Sequence, residues 1–261
     1  MYPTSFLPSL ITTFLSVITE SRETIGKALG TAAENIYFTA GGSESDNWAI
    51  KGIAEAYKEK GNHIITTKIE HHAILHTCEY LEKEGFEVTY LDVDENGTVK
   101  LEDLRAAIRP TTILISIMFA NNEIGTIQPI AEIGKIARAH KIPFHTDAVQ
   151  AVGHIAIDVK AQNIDMLSLS GHKFHGPKGV GALYVRRGFP LVNVIEGGAQ
   201  ERGKRAGTEN IAGICGMAAA MKDACDHIDE NMPRVAAMRD RVIAELSKIP
   251  HSALNGDRVN R

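Results

Sequence analysis

Lys173 stands in the stretch Ser168-Leu169-Ser170-Gly171-His172-Lys173-Phe174-His175-Gly176-Pro177-Lys178-Gly179, among small residues and just after an apolar run. Lysine condenses with an aldehyde only as the neutral amine. It therefore needs nearby positive charge or a desolvated pocket, and small neighbours that admit a flat ring. Upstream, His145-Thr146-Asp147-Ala148-Val149-Gln150 follows the strand-like Ile142-Pro143-Phe144 and supplies a carboxylate. An aspartate at a strand end can sit under the pyridine nitrogen of pyridoxal phosphate (PLP), keep it protonated and make the ring an electron sink. Lysine and aspartate together read as a PLP site.

Other polar clusters also follow predicted strands, where ligands gather in open α/β sheets. Gly41-Gly42-Ser43-Glu44 opens a helix, so its free N–H groups and the Ser43 hydroxyl could receive a phosphate, or Ser43 could simply cap its own helix. His71, in Glu70-His71-His72, could stack on a flat ring or shuttle protons, or be a solvated loop histidine. Asn121-Asn122-Glu123-Ile124-Gly125 offers amides for a ring hydroxyl or a carboxylate, and equally suits an Asn-rich turn. Two rival chemistries share these residues. Gly198-Ala199-Gln200-Glu201-Arg202-Gly203-Lys204 fits G-x-x-x-x-G-K, but Arg205 stands where a nucleotide-binding loop needs Ser or Thr. His71, His72, His145, Asp147, His172 and His175 are all metal-ligand types, yet no pair among them has helical His-x-x-x-His spacing, so no metal is expected.

The elements that must hold these residues alternate along the chain. Helices are expected at Glu20 to Leu29, Glu44 to Lys60, Ala73 to Glu84, Leu101 to Ile108 and Ile130 to His140. Strands are expected at Ile36 to Thr39, His63 to Thr67, Glu87 to Leu91, Thr112 to Phe119, Ile142 to His145, Asp165 to Leu169 and Gly181 to Val185. The strands are rich in Ile, Val, Leu and Thr, which predicts an α/β fold with a mainly parallel, mixed sheet covered by helices on both faces. After Asn210 two helical patterns are expected to divide near Asn231-Met232-Pro233. The 261 residues can bury a sizeable core, and a net charge of −4 gives no basic footprint for nucleic acid. The three cysteines, Cys78, Cys215 and Cys225, are too irregularly spaced for a disulfide framework, which suits a reducing, cytoplasmic setting. The apolar run Phe6 to Ile18 lacks a basic flank and is too short and interrupted to span a membrane.

Taken in order, these clusters resemble the class V aminotransferase group of fold-type I PLP enzymes, and most closely the cysteine desulfurases. The carrying motifs are Phe38 to Asn47, Glu70-His71-His72, Asn121 to Gly125, His145 to Gln150, Ser170-Gly171-His172-Lys173 and Gln200 to Asn210. The resemblance implies that Lys173 holds PLP and then shuttles protons, that Asp147 pairs with the ring nitrogen, and that His71 stacks on the ring. It implies that Gln150 bonds the ring hydroxyl and that Asn122 lies near that hydroxyl and the substrate carboxylate. Gly42, Ser43, Ser170 and His172 would hold the phosphate. Thr208 would reach the phosphate of the neighbouring subunit, so a homodimer is implied, with L-cysteine as substrate and a sulfur-acceptor or scaffold protein as partner.

The chain departs from the family at both ends. Residues 1–19 do not match the family's opening segment. Residues 20–230 read as the PLP-binding large domain, and 231–261 as the start of a small domain that is mostly missing. The family's catalytic cysteine and substrate-binding arginine belong to that missing part, while Cys215 and Cys225 fall in a helical pattern. The expectation is a PLP-binding chain impaired in desulfuration. The alternatives are a selenocysteine lyase, an aminotransferase, or a non-catalytic remnant acting as a dimerisation partner.

Overall fold

The computed structural model describes residues 6–261, with side chains from Ser16 onward. Seven strands form one sheet: β1 Ile36–Thr39, β2 His63–Thr67, β3 Glu87–Leu91, β4 Thr112–Ser116, β5 Phe144–Asp147, β6 Met166–Ser170 and β7 Gly181–Val185. Their order is β1-β7-β6-β5-β4-β2-β3, and β7 runs antiparallel to both its neighbours while the other pairs are parallel. This is the mixed, mainly parallel sheet that the apolar runs predict.

Both faces of the sheet are covered, and alternation along each strand shows how. Ile64, Leu114 and Leu183 pack with Trp48, Ile50 and Ile53 of helix α2 (Gly42–Tyr57) and with Ile74, Cys78 and Leu81 of α3 (His72–Lys83). Their chain neighbours Ile65, Ile115 and Tyr184 point the other way. They join Ile25 and Leu29, the first from α1 (Phe6–Ala28), with Ile133 and Ile136 of α5 (Ile130–Ala139) and Met217 and Met221 of α7 (Ile211–Asp226). A strand buried on both faces has no polar alternation, hence the continuous apolar runs. Helix α4 (Leu101–Ala107) buries only Leu104.

Several boundaries differ from those expected. Of the expected leader, residues 1–5 lie outside the described residues, and from Phe6 the backbone is already α1. Pro8 permits this, because the first-turn N–H groups of a helix have no internal partner. Pairing in β4 ends at Ser116, but the chain continues beside β5, with Ile117 N and Phe119 N donating to His145 O and Asp147 O at 3.2 and 2.8 Å. β5 starts later than expected because Lys141 is left-handed (φ 57°) and Pro143 has no donor, and its last residue is Asp147 itself. The last two helices divide at His227, not at Asn231-Met232-Pro233: Pro233 lies inside α8 (Ile228–Leu246), none of whose residues is buried.

Between β7 and α7, the four-residue turn α6 (Gln200–Gly203) is not a regular helix, since Glu201 and Arg202 have φ of 47° and 59°. It does not follow a strand as a nucleotide-binding loop does. The turn lies instead along the free edge of β1. Glu201 accepts from Phe38 N at 2.9 Å, and Arg202 donates to the carbonyls of Ile36 and Glu34 at 2.9 and 3.1 Å.

Candidate active site

The strand register brings three chain ends together. Thr39 and Ser170 both lie opposite Gly181, and Asp147 lies opposite Ser168. The turn from β1 into α2 therefore sits directly on the end of β6. A Cβ on Gly181 would come within 2.7 Å of Gly41 Cα, and one on Gly42 within 2.6 Å of Val149 Cγ2, so only glycine allows so close an approach. The first intrahelical bond of α2 is Ser45 N to Gly41 O, which leaves the N–H groups of Gly42, Ser43 and Glu44 outside the helix ladder.

A cavity of about 290 Å³ opens at this point, lined by Gly42, Ser43, His71, Asn122, Asp147, Gln150, Ser170, His172 and Lys173. Nine of the ten residues expected from the sequence thus face one space. Thr208 does not. It is exposed and lines a separate small hollow beside Phe38, Gly179 and Arg205.

Each side chain is placed by a nearby structural constraint. Lys173 lies in the 3-10 turn Gly171–Phe174 that follows β6, and is exposed at the cavity. Ser170 Oγ lies 2.9 Å from His172 Nδ1. His71 is the N-cap of α3, its Nδ1 accepting from Ala73 N at 3.1 Å, which leaves its other nitrogen uncommitted within the ring's hydrogen-bond set. Asn121 takes the structural role, receiving Glu123 N and Ile124 N at 2.9 Å each, and so turns Asn122 toward the cavity. Asp147 Oδ1 accepts from Val149 N at 2.9 Å.

The electrostatics beneath the cavity are unusual. Three carboxyl groups, Asp46, Glu70 and Asp147, are buried close together. Burial raises the pKa of Asp147, and burial followed by the nearby Asp147 charge raises that of Asp46 well above the carboxylate range. Burial pushes Glu70 up to about 8 even though Thr67 Oγ1 and Met118 N donate to its Oε1. Among the described residues Asp46 Oδ1 and Glu70 Oε2 have no hydrogen-bond partner. Asp46, with Met118 and Val149, also lines the cavity without having been singled out from the sequence. The signal was present in the spacing, since Asp46 stands four residues after Gly42 and so on the same helix face.

Glu70 gives a pH test on the ligand-free chain. A carboxyl whose pKa is raised on folding binds its proton more tightly in the native state, so its contribution to stability is lost as pH rises from the unfolded value towards about 8. Glu70→Gln keeps an acceptor for Thr67 and Met118 and carries no charge. It is expected to melt near wild type at pH 5 and above wild type at pH 9. Thermal unfolding across that range checks this, and parallel curves for the two proteins would refute it.

The residues of the metal reading are not gathered into one cluster among the described residues. His145 is fully buried, its two nitrogens 2.9 Å from Ser116 Oγ and Ser168 Oγ, and burial pushes its pKa down to about 3. Among the described residues no three His, Cys, Asp or Glu side chains are placed to hold a metal ion.

PLP fits the residues that are present. It offers an anionic phosphate, an aldehyde and a ring nitrogen that can carry positive charge. The cavity answers with a helix N-terminus beside two serines and a histidine, a lysine, and a buried carboxylate. The fold is that of a PLP-dependent transferase large domain. The family model described as Aminotransferase class-V matches residues 3–261, and the chain belongs to that family.

More particular likenesses are to cysteine desulfurases. The chain is 60% identical over 237 residues to "Cysteine desulfurase IscS" of Clostridium botulinum strain Hall, covering 90% of this chain and 60% of that protein. It is 60% identical over 241 residues to the protein of the same name from Methanosarcina thermophila, covering 92% and 60%. A solved "NifS-like protein" superposes with a TM-score of 0.89 at 41% identity, over 91% of this chain and 66% of that one. DndA from Streptomyces lividans superposes with a TM-score of 0.91 at 34% identity, over 97% and 72%. The chain thus spans about 60% of the length of the curated relatives it matches. Among the described residues no helix is long and apolar enough to cross a membrane.

Proposed function

We propose that the cavity at the strand ends holds PLP on Lys173 and serves a cysteine desulfurase, which takes L-cysteine to L-alanine and passes the sulfur to an acceptor or scaffold protein for iron–sulfur cluster assembly. The observation that carries this reading is the convergence of Lys173, buried Asp147, His71 and the α2 N-terminus on one cavity. When bound, PLP supplies the carbonyl that takes the substrate amine and the ring that draws electron density from its α-carbon. Asp147 would hold a proton at the ring nitrogen, and a protonated ring would in turn set a positive charge against that buried carboxylate. Lys173 Nζ would move the α-proton, His71 would cover one face of the ring, and Gln150 and Asn122 would orient polar edges. Gly42, Ser43, Ser170 and His172 would fix the phosphate. Because Thr208 is exposed and outside its own cavity, the reading has it serve the cavity of a second copy in a homodimer. The three unpaired cysteines suit a reducing, cytoplasmic setting.

No thiol of this chain serves the cavity. Cys78 is buried in α3 and pushed up to about 12, chiefly by burial, and Cys215 and Cys225 lie in α7 outside the cavity lining. A thiolate is needed to take sulfur from the substrate, and a buried thiol with a raised pKa supplies none. The chain alone is therefore expected to bind PLP and L-cysteine yet form no persulfide on itself. Incubation with PLP followed by borohydride and peptide mapping should place the cofactor on Lys173. Intact mass after incubation with L-cysteine should show no added sulfur. A persulfide abolished by mutating one of the three cysteines would overturn the second expectation, and failure to label Lys173 the first.

A further inference from the structure

The helix end proposed to take the phosphate carries an acid in its first turn, outside the cavity lining. Glu44 follows Ser43 in the first turn of α2, so its carboxylate competes with an incoming anion for the same helix end. The structure shows how that carboxylate is occupied. Arg205 Nε and Nη2 reach Glu44 Oε1 and Oε2 at 2.7 and 2.9 Å, a bidentate pair with both side chains only 20% exposed. Glu44 Oε2 also accepts from Ala40 N at 2.8 Å, which ties the pair to the turn that leads into Gly42 and Ser43.

Arg205 comes from a separate part of the chain. Its loop is anchored independently, by Glu201 on Phe38 N and Arg22, and by Arg202 on the carbonyls of Ile36 and Glu34. The guanidinium is therefore delivered to Glu44 by a loop with its own attachments, and does not depend on the pair to be held there.

We propose that Arg205 is a positioning residue for the phosphate cradle, acting as the counter-charge that holds and neutralises Glu44 so that a phosphate ester can occupy the α2 N-terminus. This rests on the PLP reading and adds to it the dependence of phosphate affinity on a residue that does not line the cavity. Two consequences separate it from a merely structural salt bridge. Loss of Arg205 leaves the Glu44 carboxylate without its cation in the first turn of α2, whereas loss of the Glu44 charge leaves the guanidinium without its anion near that turn, so the two single variants shift affinity in opposite directions. Only a ligand that carries phosphate senses either change.

The test is fluorescence titration of the purified chain with PLP and with pyridoxal, which lacks the phosphate, for wild type, Arg205→Gln, Glu44→Gln and the double variant. Arg205→Gln is expected to raise the Kd for PLP about tenfold, the scale of one charge-assisted contact, while leaving pyridoxal within about twofold. Glu44→Gln should bind PLP at least as tightly as wild type, and the double variant should recover most of the loss. Unchanged PLP affinity in Arg205→Gln, equal loss of PLP and pyridoxal, or weakening in Glu44→Gln would each overturn the proposal. Should Arg205→Gln not fold, the direction of the Glu44→Gln shift decides. Failure of wild type to retain PLP on Lys173 after borohydride would instead sink the underlying reading.

Discussion

Replacing Lys173 by alanine is expected to abolish borohydride-fixed retention of PLP completely and to slow exchange of an amino-acid α-hydrogen by at least about 10²–10⁴-fold, the usual contribution of a positioned acid–base group. Among the described residues Lys173 is the only lysine that lines the cavity, and the turn that carries it is closed on both sides by buried residues, Gly171 and Phe174. No other amine of the lining can replace it. The assay is incorporation of deuterium from heavy water into L-alanine by the PLP-supplemented chain, read by NMR and independent of any sulfur chemistry. Noncovalent PLP binding should survive in the variant, because Ser43, Ser170 and His172 remain. Undiminished exchange in Lys173→Ala would remove lysine from the chemistry and return the cavity to a simple binding site.

That prediction was legible in the sequence, and its reason is physical. In a parallel sheet the strands are covered on both faces, so polar residues collect just past the strand ends and interrupt apolar runs that are otherwise unmistakable. β1, β2, β3 and β7 have the expected bounds for this reason, and Asp147, Ser170 and Lys173 stand at or just beyond the ends of β5 and β6. Asp46 escaped notice because an acid in the first turns of a helix is ordinarily a solvated favourable charge, and only the packing of α2 against the sheet makes it a buried one. The division at His227 escaped because Pro233 looks like a helix breaker while the true break needs no proline. The clamping of the loop onto β1 could not be read at all, since Glu201 meets Arg22 across a separation of 179 residues.

That clamp supports the second large effect. Arg22 Nη1 and Nη2 hold both oxygens of Glu201 at 2.6 and 2.7 Å, and the two side chains are only 12% and 3% exposed. The Arg22 guanidinium lies 4.4 Å from the centre of the Phe38 ring, and its Nη1 also donates to Ile36 O at 2.6 Å. Truncating one member of a buried pair leaves the other charge uncompensated, so Arg22→Ala is expected to destabilise the chain by about 3–5 kcal/mol. The left-handed backbone at Glu201 works in the opposite sense, at a cost of about 1–3 kcal/mol. The pair outweighs the strain while Arg22 is present and no longer does so once it is gone. The loop should then leave the edge of β1, freeing Phe38 N and the Ile36 carbonyl and carrying Arg205 away from Glu44. Urea denaturation should show a lower midpoint for Arg22→Ala, and trypsin should cleave earlier at Arg202 and Lys204. In Arg22→Met with Glu201→Leu, which buries no charge, part of the stability should return, but not the protection of the loop, because Phe38 N still lacks its acceptor. A midpoint for Arg22→Ala equal to wild type would show that the carboxylate of Glu201 is hydrated in solution and that the edge of β1 is held by Arg202 alone.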